Sequence, residues 1–388
     1  MLVSHLETTP FGDGRWVLRT PSGRHALLSE ASYRLLQLLR DVPHPEYALP
    51  RFNAEFGGAY SPAEFADLIH DQFAGLGVLA QDETPLRPLP PDPLPVRWQL
   101  LPAPVAGRLA TVLQPLLGYA VLRWLLPLLL VVSPLVAWQA AHLTAGTTTH
   151  AAAGGGLLVA LLLLSSLVHE LGHIAACSRV GIRHGGIGVG LYLYLLPAFY
   201  ADVTAIWQAP PQQRLIANAA GIVTQLVFAL ALAGVAVAGG WPALLPAVVT
   251  IIVMAWWQFN IFSRHDGYWL LADFTGQPLL MENARQQLRQ TLQGLWPQSR
   301  PQWALLAYGL ANGAATSLLL GLALLRYSHR LPELPAHLVL AGRQLLAGQW
   351  PRLSPGDLPA LVFCLILGRL LLQALKWAMR QLKRLIKN

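Results

Sequence analysis

In this chain of 388 residues, His169, Glu170 and His173 fall in the pattern H-E-x-x-H. Histidines four apart project from one face of a helix, a turn apart. Two neutral imidazoles placed that way can hold one Zn²⁺, and Glu170 lies close enough to act on a metal-bound water. The motif sits near the far end of an apolar run, residues 157–180, which as a helix is long enough to cross a bilayer. Ionisable groups at that depth are costly and are therefore functional candidates, weighed against a pair of packing histidines in a helix bundle.

A catalytic zinc takes three protein ligands and keeps one position open. Another apolar run ends in the sequence NIFSRHDGYW, at 260–269. In the span order given below it leaves the membrane on the same side as His173, so Asp266 can complete a His₂Asp set. An Asp-Gly turn at a helix end is the plain alternative for Asp266, and His265 and His184 are competing donors at similar depth.

The elements around these residues are those of a membrane protein. Hydrophobic residues make up 54% of the chain and charged ones 12%, with mean hydropathy +0.45, far from a soluble enzyme. The first fourteen residues, MLVSHLETTPFGDG, have no apolar core and do not read as a secretory signal. Cys177 and Cys364 both lie in apolar runs, so no disulfide is expected. The net charge is +8, but the basic residues gather at span ends and in the tail, where they set topology and meet anionic lipid. No basic patch with interleaved aromatics appears, which argues against nucleic acid as a partner.

Residues 1–84 read as a small α+β domain. Strands at 15–20 and 24–28 are joined by the turn sequence Pro21-Ser22-Gly23. Ser29 caps a helix reaching Arg40, with Tyr33, Leu35, Leu36 and Leu39 on its apolar side. Ser61, Pro62 and Glu64 form a capping box for a second helix that ends by Gly77, and Val78-Leu79 can add a strand. A hairpin followed by helices makes a winged-helix-like module. Residues 85–104 carry eight prolines and read as a semi-rigid linker. The membrane domain then fills 105–388. Residues 105–117 lie along the surface, and spans follow at 119–141 (with kinks at Pro127 and Pro134), 157–180, 215–238, 243–262, 303–325 and 358–375. The segment 187–207, broken by Gly188, Gly190 and Pro197, is too interrupted for a helix and reads as a β-like or re-entrant segment beside the site. The fold class is thus mainly α, a polytopic helix bundle of about six spans with a small N-terminal α+β domain. Arg179, Arg183, Arg214, Arg264 and the basic tail share one side, which places both termini in the cytoplasm of a cell with this protein in its inner membrane; Arg326, Arg330, Arg343 and Arg352 fall on the other side.

H-E-L-G-H within a membrane helix, followed about ninety residues later by Asp-Gly after a span, resembles the site-2 protease family of intramembrane zinc metalloproteases. The stretches DGYWLLADFTGQPLL and LYLYLLPAFYADVTAIW are similar to its peptide-processing branch, whose N-terminal domains often resemble leader-recognition modules. The resemblance implies that His169, His173 and Asp266 hold zinc, that Glu170 is the base, and that Asn260 lines the site and helps stabilise the oxyanion. Two positions depart from the family pattern. Ile261 follows Asn260 where the family has proline, and Gly221-Ile222-Val223-Thr224-Gln225 stands for its Gly-Pro-x-x-Asn. The expected activity is that of a membrane-embedded zinc endopeptidase acting on a small peptide precursor or membrane-associated peptide, with the bilayer and peptide-export proteins as partners. The alternatives are a non-proteolytic export or immunity component with a structural metal, and a metal-ion transporter. Glu170, which is not a ligand, argues against the first; the scarcity of intramembrane carboxylates argues against the second.

Overall fold

The computed structural model describes residues 5–12, 14–20, 25–80, 96–144, 153–192, 196–330 and 332–347, with residues 2, 363, 364, 368 and 379. By its contacts the chain divides into two compact units, Met1–Pro278 and Leu279–Asn388.

The first unit opens with a three-stranded antiparallel sheet, β1 (Glu7–Gly12), β2 (Arg15–Arg19) and β3 (His25–Ser29), in the order β1-β2-β3. Strand β1 escapes a reading by alternation because Pro10 and Gly12 interrupt it. Its pairing with β2 shifts register between Pro10 and Gly12, leaving Phe11 as the extra residue of a bulge. The turn expected at 21–23 lies outside the described residues.

Helix α1 (Glu30–Asp41) starts as expected, with Ser29 Oγ accepting from Ser32 N at 3.1 Å. Helix α2 (Pro45–Phe56) was not foreseen, since Pro45 and Pro50 mask its period; Pro45 is in fact suited to the first turn. Helix α3 (Pro62–Phe73) carries the complete Ser61–Glu64 capping box. Leu18, Leu28, Leu36, Leu39, Phe52, Phe65 and Phe73 close a separate apolar core among these elements. Leu79 forms only an isolated bridge with Leu2.

Residues 81–95 are outside the described part, but β4 (Val96–Leu101) corrects the linker reading for its last third. It pairs antiparallel with β5 (Ile187–Tyr192), which pairs in turn with β6 (Leu196–Ala201), giving the order β4-β5-β6. Backbone pairing with a strand nearly ninety residues away has no signature in a proline-rich composition. The broken segment after the H-E-x-x-H run is thus a β-hairpin, as its glycines suggest.

After β4 come α4 (Ala103–Ala110), a 3₁₀ turn (Thr111–Leu117), and α5 (Tyr119–Thr144), which runs through Pro127 and Pro134. Helix α6 (Ala153–Arg179) carries the H-E-x-x-H motif; α7 (Pro211–Ala238) and the shorter α8 (Leu245–Trp257) follow the hairpin, and α9 (Asp266–Phe274) ends the unit. Helix α6 packs chiefly on α7, and small residues such as Ala175, Ala176, Ala217 and Ala220 let the backbones approach. The outer face of α5 leaves Trp124, Leu128, Val131, Leu135 and Trp138 exposed, which water would penalise and lipid does not.

The second unit contains α10 (Leu280–Leu292), α11 (Arg300–Tyr327) and α12 (Leu334–Leu346). Among the described residues, Tyr119–Thr144, Gly156–Arg179, Pro211–Ala238 and Arg300–Tyr327 are long and apolar enough to cross a membrane. Helix α8 covers only part of the run 243–262, because the chain turns back after Trp257. The run 358–375 lies almost wholly outside the described residues. The molecule is a polytopic helical membrane protein with a small N-terminal α+β domain.

Candidate metal centre

Helix α6 presents His169 and His173 to α7, where they are 5% and 8% exposed. Each ring is fixed through Nδ1. His173 Nδ1 meets the Ala217 carbonyl at 2.8 Å, and His169 Nδ1 meets Gln225 Oε1 at 3.1 Å. Gln225 Nε2 donates to Ser165 Oγ at 3.0 Å, which orients that amide. A carbonyl can only accept, so Nδ1 carries the ring proton and Nε2 keeps a lone pair. The two Nε2 atoms stand 3.2 Å apart. Gly221 of α7 faces them, and a Cβ there would lie 2.6 Å from both, so only glycine leaves the space between the rings open.

Asp266 is the first residue of α9. It is placed by a reversal after α8, in which Gly267 N–H donates to Gln258 O at 2.7 Å and Gly267 lies directly on the Phe259 backbone, where a Cβ would clash. Asp266 Oδ2 comes to 3.1 Å from His169 Nε2 and 3.4 Å from His173 Nε2. With the ring protons on the Nδ1 atoms, Oδ2 is a buried oxygen that has no hydrogen-bond donor. The short approach of three acceptor atoms is what a cation would satisfy.

The donor set and its spacing suit zinc. Tetrahedral bonds of about 2.0–2.1 Å put ligand atoms about 3.3 Å apart, and the three observed separations are 3.1, 3.2 and 3.4 Å. His169, His173 and Asp266 are the cluster of metal-ligating type found among the described residues. The competing donors are placed elsewhere. His184 Nδ1 meets the Gly185 carbonyl at 2.8 Å, and His265 precedes α9, its ring edge-on to Trp257. Burial lowers the His265 pKa.

Glu170 is held at the open edge of β6: its Oε2 accepts from Ala201 N at 2.7 Å. The neighbouring bonds, Gly185 N to Asp202 O and Asp202 N to Gly186 O, point toward β5, so the Ala201 N–H points away from the sheet and toward α6. A cavity of about 460 Å³ opens on the same sheet, lined by Arg97, Gln99, Gly186, Tyr200, Ala201 and Asp202. Asn260 makes a local contact, its Oδ1 accepting from Phe262 N at 2.9 Å in the turn between α8 and α9.

Sequence reasoning missed the ring-orienting role of Gln225, Ser165 and the Ala217 carbonyl. Gln225 reaches His169 from α7. A polar residue inside an apolar span was the available signal. Residues 157–383 match the model of Peptidase family M50. No curated protein and no solved structure matches the chain.

Proposed function

The chain belongs to Peptidase family M50, and on that premise we propose that it is a membrane-embedded zinc endopeptidase whose catalytic base is Glu170. The family is one of membrane-embedded zinc metalloproteases. The observation that carries the reading to these residues is the convergence of His169 Nε2, His173 Nε2 and Asp266 Oδ2 to separations of 3.1, 3.2 and 3.4 Å, beside a glutamate that is not one of them. A structural metal would not require that glutamate, which sets the protease reading above a non-proteolytic export component.

His169, His173 and Asp266 would hold Zn²⁺, which supplies a Lewis acid for carbonyl and water activation. Gln225 and Ala217 keep both rings aimed, and burial of the rings keeps bulk water from competing. Glu170, with Oε2 anchored on the Ala201 N–H, has Oε1 for proton transfer. That oxygen takes a proton from the attacking water as its oxygen bonds to the scissile carbonyl carbon. The same proton passes to the departing nitrogen as the C–N bond breaks. Asn260, its Oδ1 held by Phe262 N–H, would offer Nδ2 to the carbonyl oxygen. A peptide must be extended before water can reach its backbone, and the outer edge of β6 at Phe199, beside the Ala201 N–H that holds Glu170, would receive it as an added strand. The substrate class is a small peptide precursor or membrane-associated peptide presented by the N-terminal domain, and the positive-inside pattern puts both termini in the cytoplasm.

The test is a mixture of short apolar peptides incubated with detergent-solubilised, zinc-loaded protein and read by mass spectrometry. New peptide termini formed by the wild-type chain and absent with Glu170→Gln are expected. Identical product patterns for the two would remove the assignment.

A further inference from the structure

Among the described residues, the most deeply buried charge outside the metal centre is Arg214, which is 2% exposed near the start of α7. Its Nε donates to Asp273 Oδ1 at 2.7 Å and its Nη1 to the Ala209 carbonyl at 2.8 Å. Asn218 Nδ2 donates to the other Asp273 oxygen at 2.7 Å. Asp273 lies in the last turn of α9, the helix that begins with Asp266. Helix α7 carries Arg214 and Asn218 on the face that also bears Ala217, Gly221 and Gln225, the residues against the histidine rings. The ion pair therefore joins the two elements that must stay in register for the three donors to meet.

Phe11 covers the guanidinium of this pair. It is the bulged residue of β1, is 2% exposed, and is not part of the N-terminal domain's own apolar core. Its ring centre lies 3.8 Å from Arg214 Cζ and 6.2 Å from the Trp207 ring, which in turn meets Trp269 of α9 edge-on. Arg15 approaches the same ring and donates to the Gly276 carbonyl just beyond α9, and Gln208 donates to Glu7 of β1. A buried ion pair stays favourable only while its partners are satisfied and water is kept away. The Phe11 ring does both, stacking on the guanidinium and excluding water.

We propose that Phe11 of the N-terminal domain is a positioning residue for the metal centre: by sealing the Arg214–Asp273 pair it holds α9, and with it Asp266, in place against α7. The N-terminal domain then completes the protease as well as serving it. The inference rests on reading His169, His173 and Asp266 as a metal site.

Co²⁺ binding to the purified full-length chain, followed by visible absorption, tests both. Phe11→Ala should weaken Co²⁺ binding about tenfold and alter the ligand-field bands, while circular dichroism stays that of the wild type. Phe11→Tyr, which keeps the ring, should return affinity to within about threefold of wild type. Arg15→Gln, which loosens the same contact from outside, should shift it in the same direction by about threefold, and it serves if Phe11→Ala does not fold. Wild-type affinity in both Phe11→Ala and Arg15→Gln overturns the positioning role alone. A wild-type chain with no stoichiometric Co²⁺ site overturns the metal reading, and this inference with it.

Discussion

Glu170 and Asp266 are both carboxylates near two imidazoles, yet their surroundings assign them different work. Asp266 Oδ2 faces both Nε2 atoms and has no donor of its own, whereas Glu170 is turned to a backbone N–H on β6. Glu170→Gln should therefore abolish cleavage and leave about one zinc per chain by metal analysis; loss of the metal as well would make Glu170 structural. Asp266→Ala should release most of the zinc, because two histidines alone leave the ion under-coordinated. His265→Ala and His184→Ala should retain it, since neither ring is in the cluster. If His265→Ala were the variant that lost zinc, the third ligand would be wrongly assigned.

At the scale of elements, α7 orients the two histidine rings and β6 orients the Glu170 carboxylate. Removing a side chain that aims a metal-bound imidazole generally costs about 10–100-fold in affinity or activity. Gln225→Ala should fall in that range when zinc affinity is measured by chelator competition, and an unchanged affinity would reduce Gln225 to a packing residue. Ala201→Pro addresses β6. Proline is tolerated on an edge strand where the N–H points away from the sheet, but it removes the hydrogen that holds Glu170 Oε2. Its expected effect is a fall in kcat of about tenfold with zinc content unchanged. A variant with wild-type kcat would show that Glu170 needs no anchor.

At the scale of the molecule, the N-terminal domain is expected to be a peptide-recognition module joined through a proline-rich linker. The contacts of Phe11, Arg15 and Glu7 also set it against Trp207, Gln208, Arg214 and Gly276. A chain that starts at residue 95 keeps β4, and so keeps the β4-β5-β6 sheet whole. It should bind zinc more weakly than the full chain and cleave more slowly at low peptide concentration, with excess zinc and excess peptide together restoring much of the rate. Full zinc affinity in the shortened chain would return the domain to a purely recognising role.

Much of this protein was legible as sequence because the relevant signals are local. Apolar run length marks the four long apolar helices, four-residue spacing marks His169 and His173, and Ser29 and Ser61–Glu64 mark helix starts through contacts made within one turn. The Asp-Gly after α8 pointed to Asp266, although His184 and His265 remained its rivals until the chain reversal at Gly267 placed the carboxylate against the rings. What only the tertiary structure decided depends on which face of one element meets which face of another. Strand β4 exists because β5 offers it an edge, Gln225 orients His169 because α7 lies against α6, and Phe11 is buried because Arg214 and Trp207 lie against its ring. Proline-rich composition, a lone glutamine and a phenylalanine beside glycine carry no trace of those partners, since pairing over tens to hundreds of residues is set by the packing of the whole chain.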